Sequence, residues 1–414
     1  MTDMAGAVPV IAVDKVQAVA LAVCTYYFGV WLKGKVGVLS RYSIPSPVVG
    51  GMSFAIVVSF LEYFNIVKVQ IDSTLQTVLM LGFFTTIGLM ASLRVVKDGG
   101  RLLLGFLLAV TVLVFLQNGM GMAIAEAMGF DKHYGILAGS VSMMGGLGTA
   151  AAFGPYFEET YGITGGTAVA VTAATFGMVA ALLIGGPFGE WCIRRYKMKT
   201  PDEVQQPEPE LHLPDDMDTD ITEQHASAKP NFTNEIMRAV SVTALAMGLG
   251  TIVSNFLGHY ITLPAYIGAM IIATIIRNVG DFSGMYKVEG KGLNAVADIT
   301  LVLFVTMAIN NLKLHELVHL ALPLVVILAC QTILMLIYAW TVLFTAFGRS
   351  YDAVMLSVGG IGFSMGATAN GLANMQAISE KYGSSPRAWL IVSVVGAFLI
   401  DLINAVVITW FGTL

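Results

Sequence analysis

Apolar stretches about 20 residues long return along almost the whole chain, each long enough to cross roughly 30 Å of hydrocarbon as a helix. In lipid every backbone N–H and C=O must bond within the protein, so apolar runs of this length mean helices. A membrane barrel would instead alternate over segments of about 10 residues, and no such alternation occurs. Only 12% of residues are charged, against about 25% in soluble domains, so most of the surface faces something other than water. The 44 glycines fit helices that approach closely in a bilayer. The expected class is an all-α polytopic membrane protein embedded in a lipid bilayer.

The hydrophobic pattern predicts ten crossings. Five fall at 8–32, 46–66, 73–93, 101–128 and 165–191, and five at 234–258, 262–280, 293–314, 316–347 and 386–412. Two further stretches, 133–162 and 350–383, place a Gly/Ser/Thr/Asn centre between short apolar pieces. They read as re-entrant hairpins, since irregular backbone survives at membrane depth only where protein buries it or water lines it. Residues 198–232 hold five prolines and nine acidic residues between Pro201 and Pro230, a solvated cytoplasmic linker. The organisation is therefore an N-terminal repeat over 1–197 with its hairpin at 133–162, the linker over 198–232, and a C-terminal repeat over 233–414 with its hairpin at 350–383.

The two halves echo each other at a nearly constant shift. Glu158-Glu159-Thr160-Tyr161-Gly162 returns as Ser379-Glu380-Lys381-Tyr382-Gly383. Phe84-Thr85-Thr86 returns as Phe304-Val305-Thr306, and Ile44-Pro45 before Gly50 as Leu263-Pro264 before Gly268. Gly177 matches Gly396. Five crossings per half is odd, so the second copy must be inserted upside down, an inverted-topology repeat. With both termini outside, eighteen of the 22 Lys and Arg residues lie inside and four outside, as the positive-inside rule asks. The hairpins then enter from opposite faces. No basic region precedes the first apolar run, so a cleaved signal peptide is not expected. Cys24, Cys192 and Cys330 are scattered and suggest neither a disulfide framework nor a metal site. The net charge of −5 points away from nucleic acid.

The first hairpin turns through Ser142, Gly145, Gly146, Gly148 and Thr149. Its glycines can bring backbone N–H groups against a ligand, and a half-helix starting near Thr149 would aim a positive dipole end at a carboxylate. Glycines serving helix packing alone are the plainer alternative. The second hairpin gathers Ser364, Thr368, Asn370, Asn374 and Gln376, whose oxygens and amides suit a dehydrated Na⁺ or an amino-acid substrate, or else bond neighbouring helices. Asp401 sits mid-span with Asn404 on the same face, and a charge at that depth is a functional candidate by default. Asn310-Asn311 and Gln117-Asn118 could line a path or hold a neighbouring helix. Thr86 and Thr306 can satisfy themselves on their own helices. Arg277, near a helix end, is expected to snorkel to the inner interface. His133, His315 and His319 fall near loops with no metal spacing. An intramembrane aspartyl enzyme would need two facing carboxylates, and only Asp401 lies deep in a span. Two unlike hairpins suit a carrier better than the ring of ligands around a channel.

Tyr42-Ser43-Ile44-Pro45, the Gly145-Gly146-Leu147-Gly148-Thr149 turn, Gly366-Ala367-Thr368 leading to Ala373-Asn374-Met375-Gln376, and the stretch from Gly396 to Asn404 resemble the bacterial sodium/glutamate symporter family over nearly the whole chain. The resemblance implies uptake of L-glutamate with Na⁺ across the bacterial inner membrane by a homodimer in which a substrate-carrying part moves against a scaffold. It carries the two turns, Asp401 and Asn404 onto this chain, and departs at Leu147, where a histidine is expected. The candidate substrate ligands are the turn residues named above. The candidate sodium ligands are Asp401, Asn404, Asn310 and Thr368, and no organic cofactor is implied. Carriage of di- or tricarboxylates or of another acidic amino acid, and coupling to protons, stay open.

Overall fold

The computed structural model describes all residues except 1–7, 38, 40–43, 95–99, 199, 201–231, 258–263, 285, 287–289 and 315–318. Nearly all of the acidic linker lies outside the described residues, as does His315. The N-terminal half runs β1 (Val10–Val13), α1 (Lys15–Lys35), α2 (Ser46–Tyr63), β2 (Lys68–Ile71), α3 (Thr74–Met90) and α4 (Gly100–Ala127). It continues with α5 (Lys132–Ile136), a wider turn over Leu137–Val141, α6 (Gly146–Tyr161) and α7 (Gly166–Tyr196). The C-terminal half runs α8 (Phe232–Leu257), α9 (Ala265–Ser283), α10 (Lys291–Asn310), α11 (Ala321–Tyr338, widening over Ala339–Ala346), α12 (Tyr351–Ser364) and α13 (Thr368–Tyr382). It ends with α14 (Pro386–Val394), a wide turn over Val395–Leu399, and α15 (Ile400–Gly412).

Each predicted crossing contains a helix. Among the described residues, eight helical segments are long and apolar enough to cross a membrane, with α14 and α15 forming one of them. Of the other two, α3 is shorter and α9 carries Arg277 and Asp281. The first crossing starts later than position 8. Asp14 accepts hydrogen bonds from the N–H groups of Val16 and Gln17, at 2.8 and 2.9 Å, while Gln17 accepts from the Asp14 N–H at 3.1 Å. This reciprocal cap starts the helix at Lys15. Residues Val10–Val13 pair in parallel with Lys68–Ile71 instead.

The helices sort into two bundles. In the first, α1 packs on α2, α8 on α9, and α10 on α1, α2, α3 and α8, with α3 also against α9. Backbones nearly touch where glycines remove the side chain. A Cβ on Gly50 would fall into the Thr25 backbone of α1, and one on Gly268 would meet Ser254 and the Gly250 carbonyl of α8. In the second bundle α4, α7 and α11 surround the helix pairs α5–α6 and α12–α13, with α14 and α15 closing the side. A narrower seam joins the bundles, α6 and α7 touching α10 while α15 touches α3 and α9. Phe83, Phe84, Phe304 and Tyr266 of the first bundle line part of this seam, with Tyr266 edge-on to Phe153 of α6 at 5.4 Å.

Residues that echo each other in sequence hold corresponding places. Pro45 and Pro264 are the N-caps of α2 and α9, with φ/ψ of −62/141° and −56/142°. Tyr161-Gly162 and Tyr382-Gly383 end α6 and α13, both glycines at positive φ. Thr86 and Thr306 each bond a carbonyl of their own helix.

Arg277 does not snorkel. It is 7% exposed, and its Nε lies 3.0 Å from Asp281 Oδ2, which also accepts from Ser92 Oγ at 2.5 Å. The chain leaves the helix after Met90, and Asn278 then binds the Ala91 carbonyl and the Leu93 N–H. The end of α9 thus secures the end of α3, and the guanidinium finds its counter-charge inside the protein.

Candidate functional site

The two broken helix pairs bring their turns together in the second bundle. Gly146, at φ +61°, begins α6, and a Cβ there would stand 2.5 Å from the carbonyl oxygen of Gly366 in the α12–α13 turn. Any other residue would meet both the left-handed strain and this carbonyl. Neither α6 nor α13 has a side-chain N-cap. The N–H groups of Leu147, Gly148, Thr368 and Ala369 donate no hydrogen bond, leaving unfilled donors at two adjoining helix starts.

Other candidate residues fix the turns in place. Ser142 Oγ lies 2.7 Å from the Ala170 carbonyl of α7 and 2.5 Å from that of Leu137. A Cβ at Gly145 would collide with the Thr149 side chain, and one at Gly148 would press on Phe83 and Leu301 across the seam. On the second pair, Thr368 Oγ donates to the Gly396 carbonyl at 2.5 Å. Asn370 Nδ2 and Asn374 Nδ2 donate to the Met178 and Ala181 carbonyls of α7, at 2.8 and 3.0 Å. These amides lie at i and i+4 on one helix face, and that face docks onto α7. Gln376 is exposed and donates to Glu380.

Asn404 reaches the first pair, its Nδ2 donating to the Ser140 carbonyl at 3.1 Å. Asp401, one turn earlier on α15, is half-buried and without a hydrogen bond or ion pair among the described residues. Asn310 does not join them. It lies in α10 of the first bundle, donating to Thr25 Oγ of α1 at 3.1 Å. The structure therefore gathers Asn404, Thr368, Ser364 and both turns in one bundle and leaves Asn310 in the other.

Gln117 and Asn118, undecided from sequence, sit at the centre. Gln117 Nε2 donates to the Ser364 carbonyl at 2.9 Å, and Asn118 Oδ1 accepts from the Ser140 N–H at 2.9 Å. One helix, α4, thereby holds the inner arms of both pairs. Sequence reasoning passed over Ser140 and Gln331. Gln331 Nε2 donates to the Gln117 carbonyl at 2.7 Å. Its signal was a lone amide in the middle of an apolar span.

A cavity of about 210 Å³ opens at one end of the seam, lined by Ser73 and Gln76 of the first bundle and Pro155, Glu158 and Thr167 of the second. Gln76 and Thr167 are each 7% exposed, and each has a buried side-chain oxygen without a hydrogen-bond partner.

A sequence profile described as sodium/glutamate symporter matches residues 11–384. The sodium/glutamate symporter of Escherichia coli strain K12 is 37% identical over 397 residues, covering 95% of this chain and 96% of that protein. The Shigella flexneri symporter matches with the same figures. That of Haemophilus influenzae is 35% identical over 395 residues, covering 94% of this chain and 95% of its own.

Proposed function

The chain belongs to the sodium/glutamate symporter family, and from that premise we propose that it carries L-glutamate into the cell together with Na⁺. The observation that carries this reading is the pair of adjoining, uncapped helix starts at Gly146 and Thr368. Each start concentrates roughly half a positive charge where its N–H groups are unfilled. L-glutamate brings two carboxylates, so two such starts suit it better than one.

We read α5–α6 and α12–α13 as re-entrant hairpins entering from opposite faces of the inner membrane, with both termini outside and the two halves inverted. Matching N-caps, helix ends and element order support this reading. The second bundle is the substrate-carrying part and the first the scaffold of a homodimer. Their narrow, largely aromatic seam favours movement of one against the other. The cavity at Gln76 and Thr167 is the outer access route, because it opens beside Ser73, close to the strand that pairs with the chain's beginning.

Competition for bound, labelled L-glutamate in sodium buffer tests the substrate. Unlabelled L-glutamate displaces the label, and malate and citrate in large excess do not. Displacement by malate or citrate at glutamate-like concentrations would move the reading to di- and tricarboxylates.

A further inference from the structure

Four amide side chains hold the backbones of the broken helix pairs in two groups joined at neighbouring residues of α4: Gln331 of α11 donates to the Gln117 carbonyl and Gln117 to the Ser364 carbonyl, while Asn118 accepts from the Ser140 N–H and Asn404 of α15 donates to the Ser140 carbonyl. All six residues are at most 1% exposed. Every one leaves a buried polar atom without a partner: Gln117 Oε1, Gln331 Oε1, Ser140 Oγ, Ser364 Oγ, Asn404 Oδ1 and Asn118 Nδ2. In a bilayer interior such atoms are expected to find partners, because no bulk water supplies them.

The composition of this unfilled set is one-sided. Five of the six atoms are oxygens. Three of them are amide oxygens, which only accept, and two are serine hydroxyls; one water donates only two hydrogen bonds and cannot serve three amide acceptors. A hard cation can, since it takes several oxygen ligands at once. The network itself contains no carboxylate, which makes it a poor home for a divalent ion. Asp401 stands one helical turn before Asn404 and has no hydrogen bond or ion pair among the described residues. One formal negative charge matches one monovalent cation.

We propose that the oxygens of Gln117, Gln331, Ser140, Ser364 and Asn404 hold the co-transported Na⁺ at the junction of the two hairpins. The inference rests on the sodium-coupled reading above and assigns that ion a place. It leaves Asn310 out, and it gives Thr368 the task of tying its turn to the Gly396 carbonyl. The ion then bridges α4, α11, α15 and both hairpins, so its arrival fixes the arms whose far ends begin the substrate's helix starts. Sodium binding would thereby precede and favour glutamate binding.

Ser364→Ala is the sharpest probe, because the Ser364 hydroxyl has no hydrogen-bond partner and its loss deletes one oxygen alone. Purified protein without glutamate is titrated with Na⁺ at constant ionic strength, following ²²Na⁺ binding and thermal unfolding. In proteoliposomes the Na⁺ dependence of glutamate uptake is measured in parallel. Ser364→Ala is expected to raise the half-saturating Na⁺ concentration about tenfold and to shrink the stabilisation by Na⁺. Ser140→Ala, on the other hairpin, is expected to do the same and serves if the first variant fails to fold. A folded variant of either kind with wild-type Na⁺ affinity overturns the site and means that waters fill the network. Wild-type uptake indifferent to Na⁺ would instead overturn the coupled reading itself.

Discussion

The carbonyl oxygen of Gly366 lies 2.5 Å from where a Cβ would stand on Gly146, so the turns of two broken helix pairs more than two hundred residues apart are in direct contact. Gly146→Ala is expected to cut glutamate uptake at least about tenfold while the protein still purifies as a folded species. The left-handed backbone alone costs about 1–2 kcal/mol. Gly100→Ala separates the causes: Gly100 has nearly the same φ, +62°, but nothing within 4 Å. Uptake by Gly100→Ala close to wild type, beside a crippled Gly146→Ala, assigns the loss to the contact between turns.

Asn374→Ala should loosen the second hairpin from α7. The amide is 4% exposed and donates to the Ala181 carbonyl at 3.0 Å. Leaving that carbonyl unpaired costs about 1–3 kcal/mol. Thermal unfolding in detergent should show a lower midpoint; an unchanged midpoint would mean that the carbonyl finds another donor.

The joined ends of α3 and α9 should depend on the Arg277–Asp281 pair, whose side chains are 8% and 12% exposed. Removing one partner of a buried pair costs about 3–5 kcal/mol, and replacing both by apolar residues is often near neutral. Arg277→Met alone should therefore reduce the yield of folded protein, and Arg277→Met with Asp281→Leu should restore part of it. Equal damage in both variants would locate the importance of Arg277 in its other contacts.

How much of this was legible beforehand varies by residue. Every predicted crossing contains a helix because long apolar runs in lipid have few alternatives, and the two broken pairs announced themselves by glycines between short apolar arms. The start of α1 was misplaced although Asp14 and Gln17 spell out its cap, since Val10–Val13 are as apolar as the helix that follows. Site residues were harder to assign. Asn370 and Asn374 have the composition of ligands, yet their amides clasp α7 carbonyls. Asn310 is as polar as Asn404 but belongs to the other bundle. Which helices become neighbours is a tertiary fact, and no spacing within the chain encodes that α4 reaches both broken pairs.

The cavity beside α3 gives a test of access. In a chain with Cys24, Cys192 and Cys330 replaced by alanine, Gln76→Cys should react with a membrane-impermeant thiol reagent added outside. Sodium with L-glutamate should change that rate several-fold as the bundles move, while either alone should change it less. No reaction under any condition would contradict an outer route through this cavity.

The most direct test of the central claim is uptake of radiolabelled L-glutamate into proteoliposomes under an inward Na⁺ gradient. Accumulation above the outside concentration is expected, lost when choline replaces Na⁺ or when an ionophore dissipates the gradient. Equal accumulation without sodium, or none under any gradient, would contradict it.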